Sequence, residues 1–185
     1  ETVAVGTAEI AAGSLVLLLA LILALALIGM REQKNVFRHL ATTDPLTGLL
    51  NRKGFDEALQ AYLSKHAEAH CVGVLLDIDN FKSINDIYGH AIGDQALRQL
   101  AESMHAHFPT DSILGRNGGD EFCLILKNCT NQSAAERIQA FTEERRTFWY
   151  EGVEHPFTLS VGYAELSAAD ARRTPALLLS KADLA

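Results

Sequence analysis

The residues of this chain best suited to chemistry are acids placed at turns. Asp77 and Asp79 stand where a short apolar run ends, and Asp120 and Glu121 follow Gly118 and Gly119 at what reads as a hairpin tip. A strand end and a hairpin tip can meet at one edge of a sheet. Carboxylates gathered there repel one another unless a cation intervenes. Hard oxygen donors with no histidine nearby suit Mg²⁺, which keeps some of its water and binds phosphate oxygens. Paired glycines before the acids let a bulky ligand approach the backbone closely. A carboxylate edge carrying a metal beside a glycine turn supplies what phosphoryl transfer needs: charge neutralisation and in-line positioning. A plainer account stands against this, since turns favour Gly and Asp anyway and acids there are commonly just solvated.

Strands and flanking helices must position these acids. Cys71–Leu76 reads as a buried strand, followed by a polar, turn-rich stretch from Asp77 to Gly93. Ser112–Arg116 and Phe122–Leu126 are short apolar runs on either side of the glycine turn, a hairpin signal. Apolar spacing predicts helices over Arg52–Ala69 (Phe55, Leu59, Tyr62, Leu63), Asp94–Phe108 (Leu97, Leu100, Met104) and Asn131–Thr147. Phe157–Tyr163 reads as a strand hairpinned with residues near Trp149–Gly152, and Pro175–Ala185 as the start of a last helix. The alternation predicts an α/β (α+β) fold with a central, mostly antiparallel sheet flanked by helices.

The 185 residues are 48% apolar and 21% charged, but one segment skews the average. Ile10–Met30 is 21 residues without a charge, long enough at 1.5 Å per residue to cross a bilayer's hydrocarbon core. No positive charge precedes it, unlike a signal peptide, and it has no polar face, unlike a buried soluble helix. Arg31, Lys34 and Arg38 follow it with only Glu32 opposing, so the C-terminal side is expected to be cytoplasmic. The expected organisation is an extracytoplasmic tail (1–9), a transmembrane helix (10–30), a stalk helix (31–43) and one catalytic domain (44–185). The chain starts at Glu1 and stops within an apparent helix, so a fragment of a longer, inner-membrane protein is expected. A net charge of −7 argues against non-specific nucleic-acid binding. Three cysteines without a CxxC make neither a disulfide framework nor a zinc site.

The acids fall within longer patterns. Gly118-Gly119-Asp120-Glu121-Phe122 spells GGDEF, with Arg116 two residues before it. Asp44-Pro45-Leu46-Thr47-Gly48-Leu49-Leu50-Asn51-Arg52 resembles the DxLTGLxNR opening of the GGDEF family. Asp77-Ile78-Asp79-Asn80-Phe81-Lys82-Ser83-Ile84-Asn85-Asp86 resembles its DxDxFKxxND segment, continued by Tyr88-Gly89-His90 and Gly93-Asp94. Thr158–Ala164 is similar to the family's TxSxGxA strand, and Lys181–Ala185 to the start of its last helix.

The resemblance implies a diguanylate cyclase with a fold like the polymerase palm and the nucleotide cyclases. Such an enzyme joins two GTP into cyclic di-GMP and releases pyrophosphate, with one GTP on each of two facing domains of a homodimer. It implies that Asp77, Asp120 and the Ile78 carbonyl hold Mg²⁺ (or Mn²⁺), and that Glu121 acts at the same edge. Asn85 and Asp94 would bond the guanine, Phe81 and Lys82 would lie along the phosphates, and Gly118 and Gly119 would let the nucleotide rest on the hairpin. The family's inhibitory RxxD pair is missing: its positions fall on Pro109 and Ser112, or on Phe108 and Asp111. Weak product inhibition through that site is therefore expected. A lysine and an arginine that touch the phosphates in the family would lie past Ala185. Two further readings remain: a degenerate module that binds GTP only to regulate another domain, and a purely structural dimerisation module.

Other candidates read as structural. His66 and His70 at i, i+4 lack a third ligand, His105 and His107 cannot share a helix face, and His90 is expected to be structural. The Glu143–Arg146 charge run reads as a solvated helix end, and Cys123 as an inert core thiol.

Overall fold

The structure, a computed structural model, describes residues 21–34, 39–66, 70–108 and 112–166. The chain divides into two units, Glu1–Ala41 and Thr42–Ala185. In the first, residues 21–34 are helical, with exposed apolar side chains such as Leu21, Leu25 and Met30. Among the described residues no helix is long and apolar enough to cross a membrane. The first half of the expected 10–30 span lies outside the described residues, as do 35–38 of the stalk and the expected helix over 175–185.

The second unit is built on a five-stranded sheet of order β1-β3-β4-β2-β7. Its strands are β1 (Leu50–Asn51), β2 (Cys71–Ile78), β3 (Ser112–Gly118), β4 (Glu121–Lys127) and β7 (Leu159–Leu166). Only the β1–β3 pair is parallel, so the mostly antiparallel expectation holds. Strand periodicity gives the sheet two buried faces. Val72, Val74, Leu76 and Ile78 of β2 share one core with Phe122, Leu124 and Leu126 of β4. Helices α3 (His90–His107) and α4 (Asn131–Glu143) cover that face through Leu97, Leu100, Met104, Ile138 and Phe141. The other face is covered by α1 (Arg52–Lys65), whose Phe55, Leu59 and Leu63 pack on Cys123 and Ile125. Asn51 caps α1, its side chain accepting from the Gly54 N–H at 2.9 Å, and a Thr130–Ser133 capping box starts α4.

Five expectations are corrected. The stretch read as turns before Gly93 is helical: α2 (Phe81–Tyr88) precedes α3, which begins at His90. Phe81, Ile84 and Tyr88 fall at helical spacing and pack on the core, but over only eight residues interleaved with turn-favouring Ser, Asn and Asp. The third predicted helix ends at Glu143 rather than Thr147, because Thr147, Phe148, Trp149 and Tyr150 belong to strand β5 (Arg146–Tyr150). That strand pairs with β6 (Val153–Phe157) in a separate two-stranded sheet. The predicted strand Phe157–Tyr163 is thus two elements, and Leu159–Leu166 pairs with β2 instead. His66 caps the end of α1 and stacks on Tyr62, while His70 lies beyond the helix and bonds Glu165, so they share no helix face.

The fifth correction is Arg146, read as part of a solvated run but only 3% exposed. Its guanidinium donates to the carbonyls of Phe141 (2.6 Å) and Glu144 (3.0 Å), pairs with the Glu144 carboxylate (3.1 Å) and stacks over the Phe141 ring (4.1 Å to the centroid). It ties the end of α4 to the start of β5. Replacing it strands those acceptors. Arg146→Ala is expected to cost about 2–3 kcal/mol in denaturant unfolding, well above an ordinary surface arginine.

Candidate functional site

The acidic edge is set by strand register. Asp77, the penultimate residue of β2, lies opposite Glu121, the first residue of β4, and on its other side opposite Ser160 of β7. β2 runs two residues further than its apolar run, so Asp77 is inside the ladder rather than after it. Between β3 and β4 the turn passes through Gly118 (φ +134°) and Gly119 (φ +56°), values that side chains rarely permit. The turn brings Asp120 close enough to Asp77 for its charge to act on that carboxyl. Partial burial holds the Asp77 carboxyl above its ordinary range, and the Asp120 charge and hydrogen bond, then Glu121 and Asp79, push the same way.

The four acids are not equivalent. Asp79 turns away into β7, accepting from the hydroxyls of Thr158 (2.5 Å) and Ser160 (2.6 Å). Ile78 is buried in the core, which leaves its backbone for any role at the edge. Among the described residues no group of three or more His, Cys, Asp or Glu side chains is gathered to hold a metal. The arrangement fits a Mg²⁺-like ion in another way. Two carboxylates repel each other for want of a counter-charge, and their hard oxygens leave the other positions to backbone, water or phosphate.

A clamp that sequence reasoning missed holds the turn. Arg116 donates from Nε (3.0 Å) and Nη2 (2.6 Å) to the Gly119 carbonyl, and from Nη1 to Asp44 Oδ1 (3.0 Å). Asp44 also accepts from the Thr47 N–H (3.0 Å) and hydroxyl (2.6 Å). Partial burial alone would raise its pKa, but the Thr47 and Arg116 hydrogen bonds outweigh it and hold the carboxyl below its ordinary range. Both residues stand in the sequence patterns quoted above. The arginine's place two residues before a glycine turn was the one signal available, and it did not name Asp44 as the partner.

The remaining candidates lie on the helix pair that follows β2. Asn80 enters α2 in the left-handed conformation (φ 56°). Phe81 is half-buried against the core, Lys82 is exposed, and Asn85 is half-buried facing α3. Asp94, in the first turns of α3, is 3.9 Å from Arg98. His90 is exposed and His107 approaches Glu144 at 3.6 Å. Of the two inhibitory-site alignments, only Phe108 and Ser112 fall among the described residues, and the Ser112 hydroxyl donates to the Phe108 carbonyl. Cys123 is buried and its thiol is pushed far up by burial, which makes it inert.

Glycine turn, acidic edge and helix pair now stand in one ordered frame. A family profile described as diguanylate cyclase, GGDEF domain, matches residues 41–185. The chain belongs to the GGDEF family. Its GGDEF domain is 40% identical over 137 residues to the cyclic di-GMP phosphodiesterase PdeR of Escherichia coli, covering 72% of this chain and 20% of PdeR. It is 37% identical over 164 residues to the probable diguanylate cyclase DgcE of the same organism, covering 83% of this chain and 14% of DgcE. The chain thus spans a fifth or less of the length of these curated relatives. The crystal structure of the coiled coil and GGDEF domain of DgcB from Caulobacter crescentus, in complex with c-di-GMP, superposes with a TM-score of 0.77. Identity there is 29%, with 86% of each chain covered.

The clamp makes a pH prediction. Asp44 has a lower pKa folded than unfolded, so its contribution is complete above the unfolded value of 3.8 and is lost as pH falls through the folded value. The stability difference between the parent and Asp44→Asn should be constant at neutral pH and shrink on acidification below about pH 4. Arg116→Ala should cost about 1–2 kcal/mol at neutral pH, measured by urea unfolding.

Proposed function

We propose that this GGDEF domain is a diguanylate cyclase that condenses two GTP into cyclic di-GMP between two copies of the chain. The observation that carries the reading is the register that brings Asp77, Asp120 and Glu121 to one edge beside a glycine turn. In each half-reaction a 3′-oxygen bonds to the α-phosphorus of the opposing GTP. The bond to the β-phosphate's bridging oxygen breaks, and pyrophosphate leaves. Two such steps close the ring and release two pyrophosphates.

The chain's own residues divide the work. Asp77 and Asp120, with the Ile78 carbonyl, would hold Mg²⁺ or Mn²⁺. When bound, that ion neutralises the α-phosphate and lowers the pKa of the attacking hydroxyl. Glu121 adds a carboxylate at the same edge, able to take a proton or complete the ion's ligands. Gly118 and Gly119 leave the turn bare for the triphosphate. Exposed Lys82 offers it positive charge, and Phe81 lines the approach. Asn85 offers a donor and an acceptor to the guanine edge, and Asp94 accepts from its N–H groups.

The 10–30 span would anchor the protein in the inner membrane with this domain in the cytoplasm. The stalk would pair two copies, and a signal sensed elsewhere in a longer protein would set their facing. A second reading has one observation in its favour: PdeR, whose name gives it phosphodiesterase activity, is among the relatives this domain matches. The domain would then bind GTP to regulate a neighbouring domain.

Incubation of the full-length protein with GTP and Mg²⁺ should yield cyclic di-GMP and pyrophosphate, resolved by chromatography. Asp120→Ala should abolish product while leaving the melting temperature equal or higher, because it relieves the repulsion on Asp77. GTP binding without product selects the regulatory module. Absence of GTP affinity would falsify both readings.

A further inference from the structure

Helices α2 and α3 meet where Asn85 faces Gly93. A β-carbon added at Gly93 would collide with Asn85 Oδ1, lie 3.0 Å from Asn85 Cγ and come within 3.2 Å of Phe81 Cζ. Gly93 is buried inside a helix, where glycine costs about 1 kcal/mol relative to alanine. Its φ is not in the region that favours glycine, so the backbone gives no reason for the residue. The neighbouring side chain does. Phe81 and Asn85, at i and i+4, share one face of α2, so Phe81 closes one side of the space into which a displaced carboxamide could move.

From this we infer that Gly93 is a positioning residue for base recognition. Its bare Cα sets the depth at which the Asn85 carboxamide sits against α3, one residue before Asp94, and so the site's preference for guanine. The inference rests on the nucleotide reading above. A hydrogen bond weakens steeply once its distance and angle are spoiled, so a carboxamide displaced by about 1 Å no longer serves the same base edge. The route of action is steric and passes through Asn85.

The test uses 3′-deoxy-GTP and 3′-deoxy-ATP, which lack the attacking hydroxyl and so report binding alone. Their affinities are measured for the full chain, Gly93→Ala, Asn85→Ala and the double variant, with a melting temperature for each. Gly93→Ala and Asn85→Ala should each lower the guanine-over-adenine affinity ratio about tenfold, and the double variant no further. Should Gly93→Ala alone misfold, the double variant, which lacks the colliding carboxamide, should melt near Asn85→Ala. The proposal is overturned, with the guanine reading intact, in either of two cases. One is that Asn85→Ala lowers the ratio and Gly93→Ala does not; the other is that Gly93→Ala costs as much in the Asn85→Ala background as alone. A double variant that also misfolds likewise overturns it. If Asn85→Ala leaves the ratio unchanged, or the parent shows no guanine preference, the nucleotide reading itself fails and takes the proposal with it.

Discussion

Negative charges brought together by backbone hydrogen bonds are the constraint on which the rest of the molecule depends. β2 is paired on both sides, to β4 and to β7, so Asp77 has no freedom to retreat from Glu121. A slip of one residue would invert every side chain of the strand, exchanging Val72, Val74, Leu76 and Ile78 with the smaller Cys71 and Gly73, Leu75 and the charged Asp77 between two differently shaped cores. Hydrophobic burial of the first four side chains, worth about 2 kcal/mol each, therefore fixes where the acids stand. The repulsion at a solvent-facing edge is far smaller than that sum. The fold can carry an unneutralised acidic edge, and a divalent cation is the natural complement to it.

The positive charge nearest in sequence is not spent on that edge. Arg116 turns back to Asp44 and the Gly119 carbonyl, with 12% of its side chain exposed and 19% of its partner's. It neutralises a carboxylate outside the acidic cluster and fixes the turn through a backbone oxygen. The turn is thereby made rigid without its acids being screened. A lysine in that place could not hold Asp44 and the carbonyl at once with three aligned N–H groups.

The parts legible in the sequence were those dictated by local pattern. β2, β3, β4 and the glycine turn followed from apolar runs and Gly-Gly, and α1 from its spacing, because burial imposes a period directly on such segments. What escaped was short or had its reasons elsewhere in the chain. α2 is only eight residues long, and its apolar period of Phe81, Ile84 and Tyr88 is interleaved with Ser, Asn and Asp, which favour turns. Strand β5 begins inside a charge run because Arg146 is neutralised by Glu144 and by carbonyls at the end of α4, a tertiary fact. Asp79, grouped with the other acids by position, belongs with Thr158 and Ser160 because β7, some eighty residues on, lies alongside. At the candidate site the residue types were readable. The division among them, into acids at the edge, an acid tied to β7 and a clamp behind the turn, required the sheet order.

The two halves of the candidate site rest on different physics. The acidic edge is part of a ladder flanked by two cores, and its geometry is fixed to the precision of strand pairing. The Asn85–Asp94 half stands on a helix pair in which α2 is held by Ile84, by Phe81 against the core and by the approach to Gly93. No ladder ties those side chains down. Charge placement tolerates small displacements, because Coulomb energy falls slowly with distance. Hydrogen-bond recognition of a base does not, because it depends on direction. Under the proposed reading, the half that needs finer positioning sits on elements no ladder ties down, and close packing must replace backbone pairing there. A bare Cα at position 93 is the kind of device that such a substitution requires.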